Sequence, residues 1–261
     1  MAVPMDAPVR VLCALCLILC ACERKPEERK LKQGPVGTLV GEIVLAPGAQ
    51  LPAYTPLDLL RRTLRVSDLP KPPAECTEAN ESARTPVTLT PEGRLRGIVI
   101  AASDFTRVRE RKPKEHLLHI EHCRLQPSII AAQGGDVLML DNRDEFEFEP
   151  LIGPAYEGRA LPRGKPWPIP LVASGIDSVQ CSLRAPCGRT DLLVFHHPVH
   201  AISDDTGHFR IENFPAGELV RVTAWHPLFE PTETFVWLDP GQESSIKLQL
   251  TPKARFVASQ P

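Results

Sequence analysis

The chain has 261 residues and a formal net charge of -2, so it lacks the strongly basic balance of a nucleic-acid binder. With 28 prolines and 16 glycines breaking up short apolar runs, and no long amphipathic stretch, the composition excludes a helical bundle and predicts an all-β protein. The length allows one large domain or two small ones at roughly 100–200 residues each.

The first element in chain order is an apolar run at 11–21 behind Arg10. It is shorter than the roughly 20 residues a membrane span requires, and it matches the core of an export signal. The run ends in Leu19-Cys20-Ala21-Cys22. This resembles a bacterial lipobox, which implies cleavage before Cys22 and lipidation of its thiol. Several acyl chains on one residue anchor stably, because each buried methylene contributes about 0.8 kcal/mol. The resemblance therefore implies an exported lipoprotein of the cell envelope. Glu23 after the lipidated cysteine leans towards the outer membrane, facing the periplasm or the cell surface. Residues 22–37 read as a tether, densely charged at its start and without apolar periodicity.

Residues 38–45 alternate as a strand, and 57–64 could form a turn or two of helix. Further strands are expected at 94–101, 116–123, 128–132, 136–140, 176–183 and 190–195, with 150–170 as a long Gly- and Pro-rich loop. From Ala201 onward the pattern sharpens. Asp204-Asp205-Thr206-Gly207 and Pro215-Ala216-Gly217 make turns around a strand carrying Phe209 and Ile211. Strands at 234–238 and 245–250 follow. Four cysteines lie beyond Cys22, namely Cys76, Cys123, Cys181 and Cys187. An even number in an exported chain predicts two disulfides with three possible connectivities.

Asp204 to Phe209, Phe214 to Gly217, and Ala224-Trp225-His226 together resemble the carboxypeptidase regulatory-like domain, a prealbumin-like β-sandwich. Such modules are non-catalytic, and some relatives bind glycans. Cys123-Arg124-Leu125-Gln126-Pro127, Asn142-Arg143-Asp144 and Cys181 resemble the cupredoxin-like domain of exported plastocyanin-like and methylamine-utilisation proteins. The expected fold class is therefore all-β, with two Greek-key-type β-sandwiches. The boundaries are 1–21 signal, 22–37 tether, 38–195 cupredoxin-like domain, 196–252 carboxypeptidase regulatory-like domain and 253–261 tail.

The cupredoxin resemblance implies a copper site of two His, one Cys and a weak axial ligand. This chain departs from it. Phe148 stands where the first His belongs, Arg184 replaces the second, and Cys187 replaces the axial Met. Arginine is always cationic and cannot ligate a metal. The resemblance thus implies a scaffold without its copper, in which Cys181 and Cys187 lie within disulfide reach and Cys76 pairs with Cys123. No cofactor is expected.

A rival reading is a remodelled copper or zinc site, with or without electron transfer, built from Cys181, Cys187, His196 and His197. His116, His119 and His122 fall at three-residue spacing, which on a strand sends successive side chains to opposite faces. The acidic stretch 141–149 alternates with Phe146 and Phe148, as a strand edge with one charged face would. No Gly-x-Ser-x-Gly elbow, His-Glu-x-x-His pair or phosphate loop is present. The chain is therefore expected to bind rather than catalyse. Its partners are expected to be a membrane through the anchor, and an envelope protein or glycan. Trp167, Trp225 and Trp237 are candidates for a glycan platform, although Trp225 and Trp237 fall on expected strands and read as core.

Overall fold

The computed structural model describes residues 31–53, 87–153, 158–181 and 187–257. The expected signal, the tether up to residue 30, the turn of helix at 57–64, Cys22, Cys76 and Arg184 lie outside the described residues; the rest of the expected tether is folded instead, with Lys32 bridged to Arg107 and Val36 and Gly37 opening the first strand. The strands are β1 (Val36–Leu45), β2 (Val99–Ser103), β3 (Glu115–Glu121), β4 (Arg124–Gln126), β5 (Ile129–Gln133), β6 (Val137–Asn142), β7 (Pro150–Ile152), β8 (Trp167–Pro170), β9 (Gly175–Cys181), β10 (Arg189–Phe195), β11 (His200–Ile202), β12 (His208–Pro215), β13 (Leu219–Trp225), β14 (Thr232–Trp237) and β15 (Glu243–Leu250). The all-β expectation holds among the described residues apart from one 3-10 turn at Ala254–Phe256, where a tail was expected and Phe256 is instead buried.

One sandwich pairs the sheet β4-β3-β6-β8 with the sheet β5-β10-β9-β7. Leu118, Ile120, Leu138, Leu140 and Ile169 of the first meet Ile130, Ala132, Leu192, Val194 and Val179 of the second in one buried cluster. Each sheet holds one parallel pair, β3 with β6 and β5 with β10. The expected loop at 150–170 contains two short strands, β7 and β8. Strand β8 reads Trp-Pro-Ile-Pro and lies at a sheet edge, where proline removes no needed ladder bond.

The other sandwich pairs β12-β1-β15 with β11-β2-β13-β14. Its inward residues alternate along each strand, among them Leu39 and Ile43, Phe209 and Ile211, Val220, Val222 and Ala224. Gly41 is required in the central strand β1, because a Cβ there would run into the Phe209 ring and the Ile246 carbonyl. Gly207 closes the expected turn at φ 76°, and Asp204 Oδ1 caps it by accepting from the amides of Thr206 at 2.8 Å and His208 at 3.0 Å.

The sheets do not follow chain order. Strand β1 was expected in the domain 38–195, yet it runs antiparallel to β12 and parallel to β15. Strand β2 likewise pairs with β11 and β13. The sandwich of β3 to β10 is therefore inserted between two neighbouring strands of the other, with Ala101 opposite His200 at the point of entry and exit. Adjacent entry and exit points are what make such an insertion tolerable.

The entering segment 104–114 is fixed at both ends. Near β2, the Glu218 carboxylate accepts from the amides of Thr106 at 3.0 Å and Arg107 at 3.2 Å, and from the Thr106 hydroxyl at 2.9 Å. Near β3, Asp136 is 1% exposed and accepts from both Arg111 Nη atoms (2.8 and 2.6 Å). It also accepts from the amides of Lys114 (2.9 Å) and Gln133 (2.8 Å) and from His116 Nε2 (2.8 Å). Burial alone would raise the Asp136 pKa. Arg111, the two amides and His116 outweigh it and hold the carboxyl well below the usual carboxylate range. Its stabilising contribution is present above its ordinary pKa and is lost as pH falls below about 4. Replacing Asp136 with Ala should cost about 3–5 kcal/mol at neutral pH, because Arg111 is left in a partly buried site without its partner. Urea denaturation measures this; a loss under about 1 kcal/mol would mean the clamp is no better than a surface ion pair.

Candidate functional site

The residues implied for the copper position come together at one end of the inserted sandwich. Asn142, 1% exposed, ends β6 and organises the loop beyond it: its Nδ2 donates to the carbonyls of Phe146 (2.9 Å) and Leu161 (2.8 Å). Its Oδ1 accepts from the Asp144 amide at 3.0 Å. The Asp144 carboxylate then accepts from the amides of His122 (2.8 Å) and Cys123 (2.7 Å), both at positive φ. The Asn-Arg-Asp element thus latches two loops together, a structural role.

That latch delivers Phe148 into the core, 4.6 Å from the Phe146 ring. Pro150, two residues on, stands opposite Cys181 in the β7–β9 ladder. Cys181 is disulfide-bonded to Cys187 with a Cα–Cα separation of 5.3 Å, and the Cys187 carbonyl accepts from Leu125 at 2.8 Å. Cys123 is disulfide-bonded as well; its expected partner, Cys76, lies outside the described residues. Phe148, Cys123, Cys181 and Cys187 belong to a single buried apolar cluster. A copper centre needs a thiolate and imidazoles. Here the sulfur that the resemblance implies as thiolate, Cys181, is spent on a disulfide, and the Phe148 ring stands where it implies an imidazole. The donor set does not fit copper.

Nor do the histidines join these cysteines. Cys187 precedes the seven-residue β10 and His196 follows it, so a strand rise of about 3.3 Å per residue sets about 20 Å of strand between them. The rival site of Cys181, Cys187, His196 and His197 is therefore not assembled. Among the described residues, no group of three or more His, Cys, Asp or Glu side chains is arranged to hold a metal ion. The other histidines are dispersed. His116 bonds Asp136, His119 pairs with Glu121 at 3.7 Å, and His122 sits in the β3–β4 turn.

What 196–200 does instead is connect the sandwiches. The His197 ring packs edge-on against Phe105 at 4.9 Å, and its Nδ1 accepts from the Val199 amide at 3.2 Å. His200 stacks on Phe195 at 4.7 Å, and its Nδ1 donates to the His197 carbonyl at 3.2 Å. Burial pushes both imidazoles down to about 4. His226 repeats the arrangement before Pro227: its Nδ1 accepts from the Leu228 amide at 3.2 Å, and burial lowers it to about 3.

Beside this connector the sandwiches meet. Ile129, Ala131 and Leu193 project from the back of β5 and β10 onto Val99, with Phe195, Ile202 and Trp225 packed around them. The seam opens on one side into a mainly apolar cleft of about 460 Å³ that includes Ala101, Ser103, Ser174, Ile176, His196 and Trp225 in its walls. A second cleft of about 580 Å³ has Arg109, Lys114, His116 and His200 among its walls. Clefts between domains are a common place for ligand sites. Trp225 is the seam tryptophan, as its strand position predicted. Trp237 is not core: it is 56% exposed, as is Phe235. Both parities of β14 carry apolar side chains, and Val236 rather than Trp237 takes the inward one. Asp136 was also missed; its only sequence signal is a lone carboxylate after Gly134-Gly135 between apolar runs.

No protein-family profile matches the chain, and no curated protein matches it. Among solved structures, a reduced amicyanin variant is similar over 36% of this chain and 98% of its own, at 12% identity and a TM-score of 0.28. The copper-containing nitrite reductase NirK of Thermus scotoductus SA-01 is similar over 36% of this chain and 25% of its own, at 15% identity and a TM-score of 0.28. Likenesses at that level carry no argument about this chain's function.

Because His197, His200 and His226 are held neutral, the unfolded chain binds more protons below pH 6.5. Stability should therefore fall between pH 6.5 and about 4 and then level off in this contribution. The denaturation midpoint should drop when the pH goes from 7.5 to 4.5. His197→Asn with His226→Asn, which keep an acceptor near Nδ1, should flatten the drop; an unchanged drop would place the proton uptake elsewhere.

Proposed function

We propose that this chain is a non-catalytic binding or scaffold lipoprotein of the cell envelope, tethered through Cys22, in which a cupredoxin-like sandwich has exchanged its copper for a covalent staple. The observation that carries the reading is the Cys181–Cys187 disulfide beside Phe148 in one apolar cluster. Copper would cross-link the loop after β9 to the strands behind it. The disulfide and the phenyl ring do the same mechanical work without redox chemistry. A loop of this size gains about 2 kcal/mol in the chain-entropy account. The second sandwich, completed by β1 and β2, supports the carboxypeptidase regulatory-like reading in its turn chemistry at Asp204 to Gly207. Both sandwiches packed along the Leu193 seam offer a continuous surface suited to holding a partner.

Two experiments test this. In a Gram-negative host the full chain should take up labelled palmitate and sediment with membranes, and Cys22→Ala should do neither; unlabelled, soluble wild-type protein would refute the anchor. Restoring the implied ligands with Phe148→His, Arg184→His and Cys187→Met should free Cys181 and give a visible charge-transfer band on adding Cu(II). The unaltered protein should give none; a band in the unaltered protein would refute the copper-free reading.

A further inference from the structure

The inserted sandwich covers one end of the outer face of β11-β2-β13-β14, where Val99 and Trp225 lie in the seam. At the other end of β13, and on β14 beside it, Leu219, Phe235 and Trp237 are each 56% exposed. Leu219 stands opposite Trp237 and Arg221 opposite Phe235, so the three apolar side chains share one face. The charged groups lie further in. Arg221 pairs with Asp104 at 2.8 Å and with Glu233 at 3.5 Å, and Glu233 is four residues from Trp237, about 13 Å along the strand. Leu219 and Trp237 thus form an apolar rim at the end of the sheet, with Phe235 behind them.

The first described residues meet this same rim. The Lys32 amide donates to the Thr106 carbonyl at 3.1 Å, and the Lys32 carbonyl accepts from Val108 at 2.8 Å. Glu218, which precedes Leu219, accepts from the amides of Thr106 and Arg107. The Pro35 carbonyl accepts from Ala216 at 3.1 Å and the Val36 carbonyl from Gly241 at 2.8 Å, while Gly217 donates to the Leu238 carbonyl at 2.8 Å. Residues 32–36, the turn before Leu219 and the turn after Trp237 are therefore one hydrogen-bonded cluster. Ten residues lead from Cys22 to Lys32, a reach of at most about 35 Å.

From this juxtaposition we infer that the rim of Leu219 and Trp237, with Phe235, docks on the phospholipid surface that holds Cys22. The inference rests on the anchored-lipoprotein reading and adds an orientation to it. A short link to the anchor keeps the rim at high effective concentration beside the bilayer, so docking needs little affinity of its own. Tryptophan suits the boundary between headgroups and acyl chains, where its ring is buried and its N–H stays hydrated. Leucine and phenylalanine beside it add apolar area for shallow insertion. Three side chains little more than half exposed fall well short of the roughly 800 Å² per partner that a stable protein interface buries. The carboxylates further along the sheet stay in water and confine the docking to the rim.

The test uses the full lipidated chain reconstituted into vesicles of phosphatidylethanolamine and phosphatidylglycerol, with bromine on the acyl chains of part of the lipid as a quencher. Wild-type protein should lose part of its tryptophan emission to the brominated lipid. Trp237→Phe, which keeps Trp167 and Trp225, should lose none. Leu219→Ser with Phe235→Ser should abolish the quenching with the thermal midpoint little changed, and the protein should still sediment with the vesicles through its anchor. Unquenched wild-type protein that sediments with the vesicles would overturn the inference and leave the anchored reading standing, whether the face is then bare, paired with a second copy or held by an envelope protein. Quenching that persists in Trp237→Phe would overturn it as well. Wild-type protein that neither takes up labelled palmitate nor sediments would refute the anchor and the inference with it.

Discussion

The apolar seam of Leu193, Ile129 and Ala131 against Val99 and Trp225 sets the arrangement of everything else. It makes β5 and β10 central to two cores at once, since alternate residues of the same strands, Ile130, Ala132, Leu192 and Val194, face the interior of their own sandwich. Burying a Leu or Ile side chain contributes about 1.5–3 kcal/mol, so even a few such residues hold the sandwiches together more firmly than surface ion pairs would. Two connectors cross the seam, and both are fixed: 104–114 by Glu218 and Asp136, and 196–199 by buried neutral histidines. The insertion is therefore held at both connectors as well as along the seam.

The position where the resemblance implies copper is filled by apolar groups. A metal centre tolerates polar ligands in a core because coordination repays their desolvation. Phe148 and the Cys181–Cys187 disulfide need no such repayment. The Asn142 and Asp144 latch persists because it satisfies backbone groups that any filling of this end would leave exposed.

Much of this was legible along the chain, and the gaps have physical causes. Alternation located β12, β13 and β15 within a few residues, and the Asp204 turn was readable because an aspartate and a positive-φ glycine have few other uses together. Alternation does not say which strand lies alongside. The parallel pairing of β1 with β15 joins residues some two hundred apart, and no local pattern encodes it. The run Ile-Ile-Ala-Ala at β5 announced burial on both faces without saying that the second face belonged to another sandwich. Trp237 misled because Val236 and Leu238 are apolar too, so periodicity offered two cores for one strand. The Cys181–Cys187 bridge was legible because a separation of six residues puts two cysteines within reach of one another.

The central claim is that a disulfide and a phenyl ring have replaced a metal. Metal content of the full chain, purified in its native redox state and measured by mass spectrometry alongside an absorption spectrum, tests it most directly. The account predicts far less than one equivalent of copper or zinc and no visible band, in protein whose Cys181 and Cys187 resist alkylation. Near-stoichiometric copper or zinc in folded protein, with those thiols free, would contradict it.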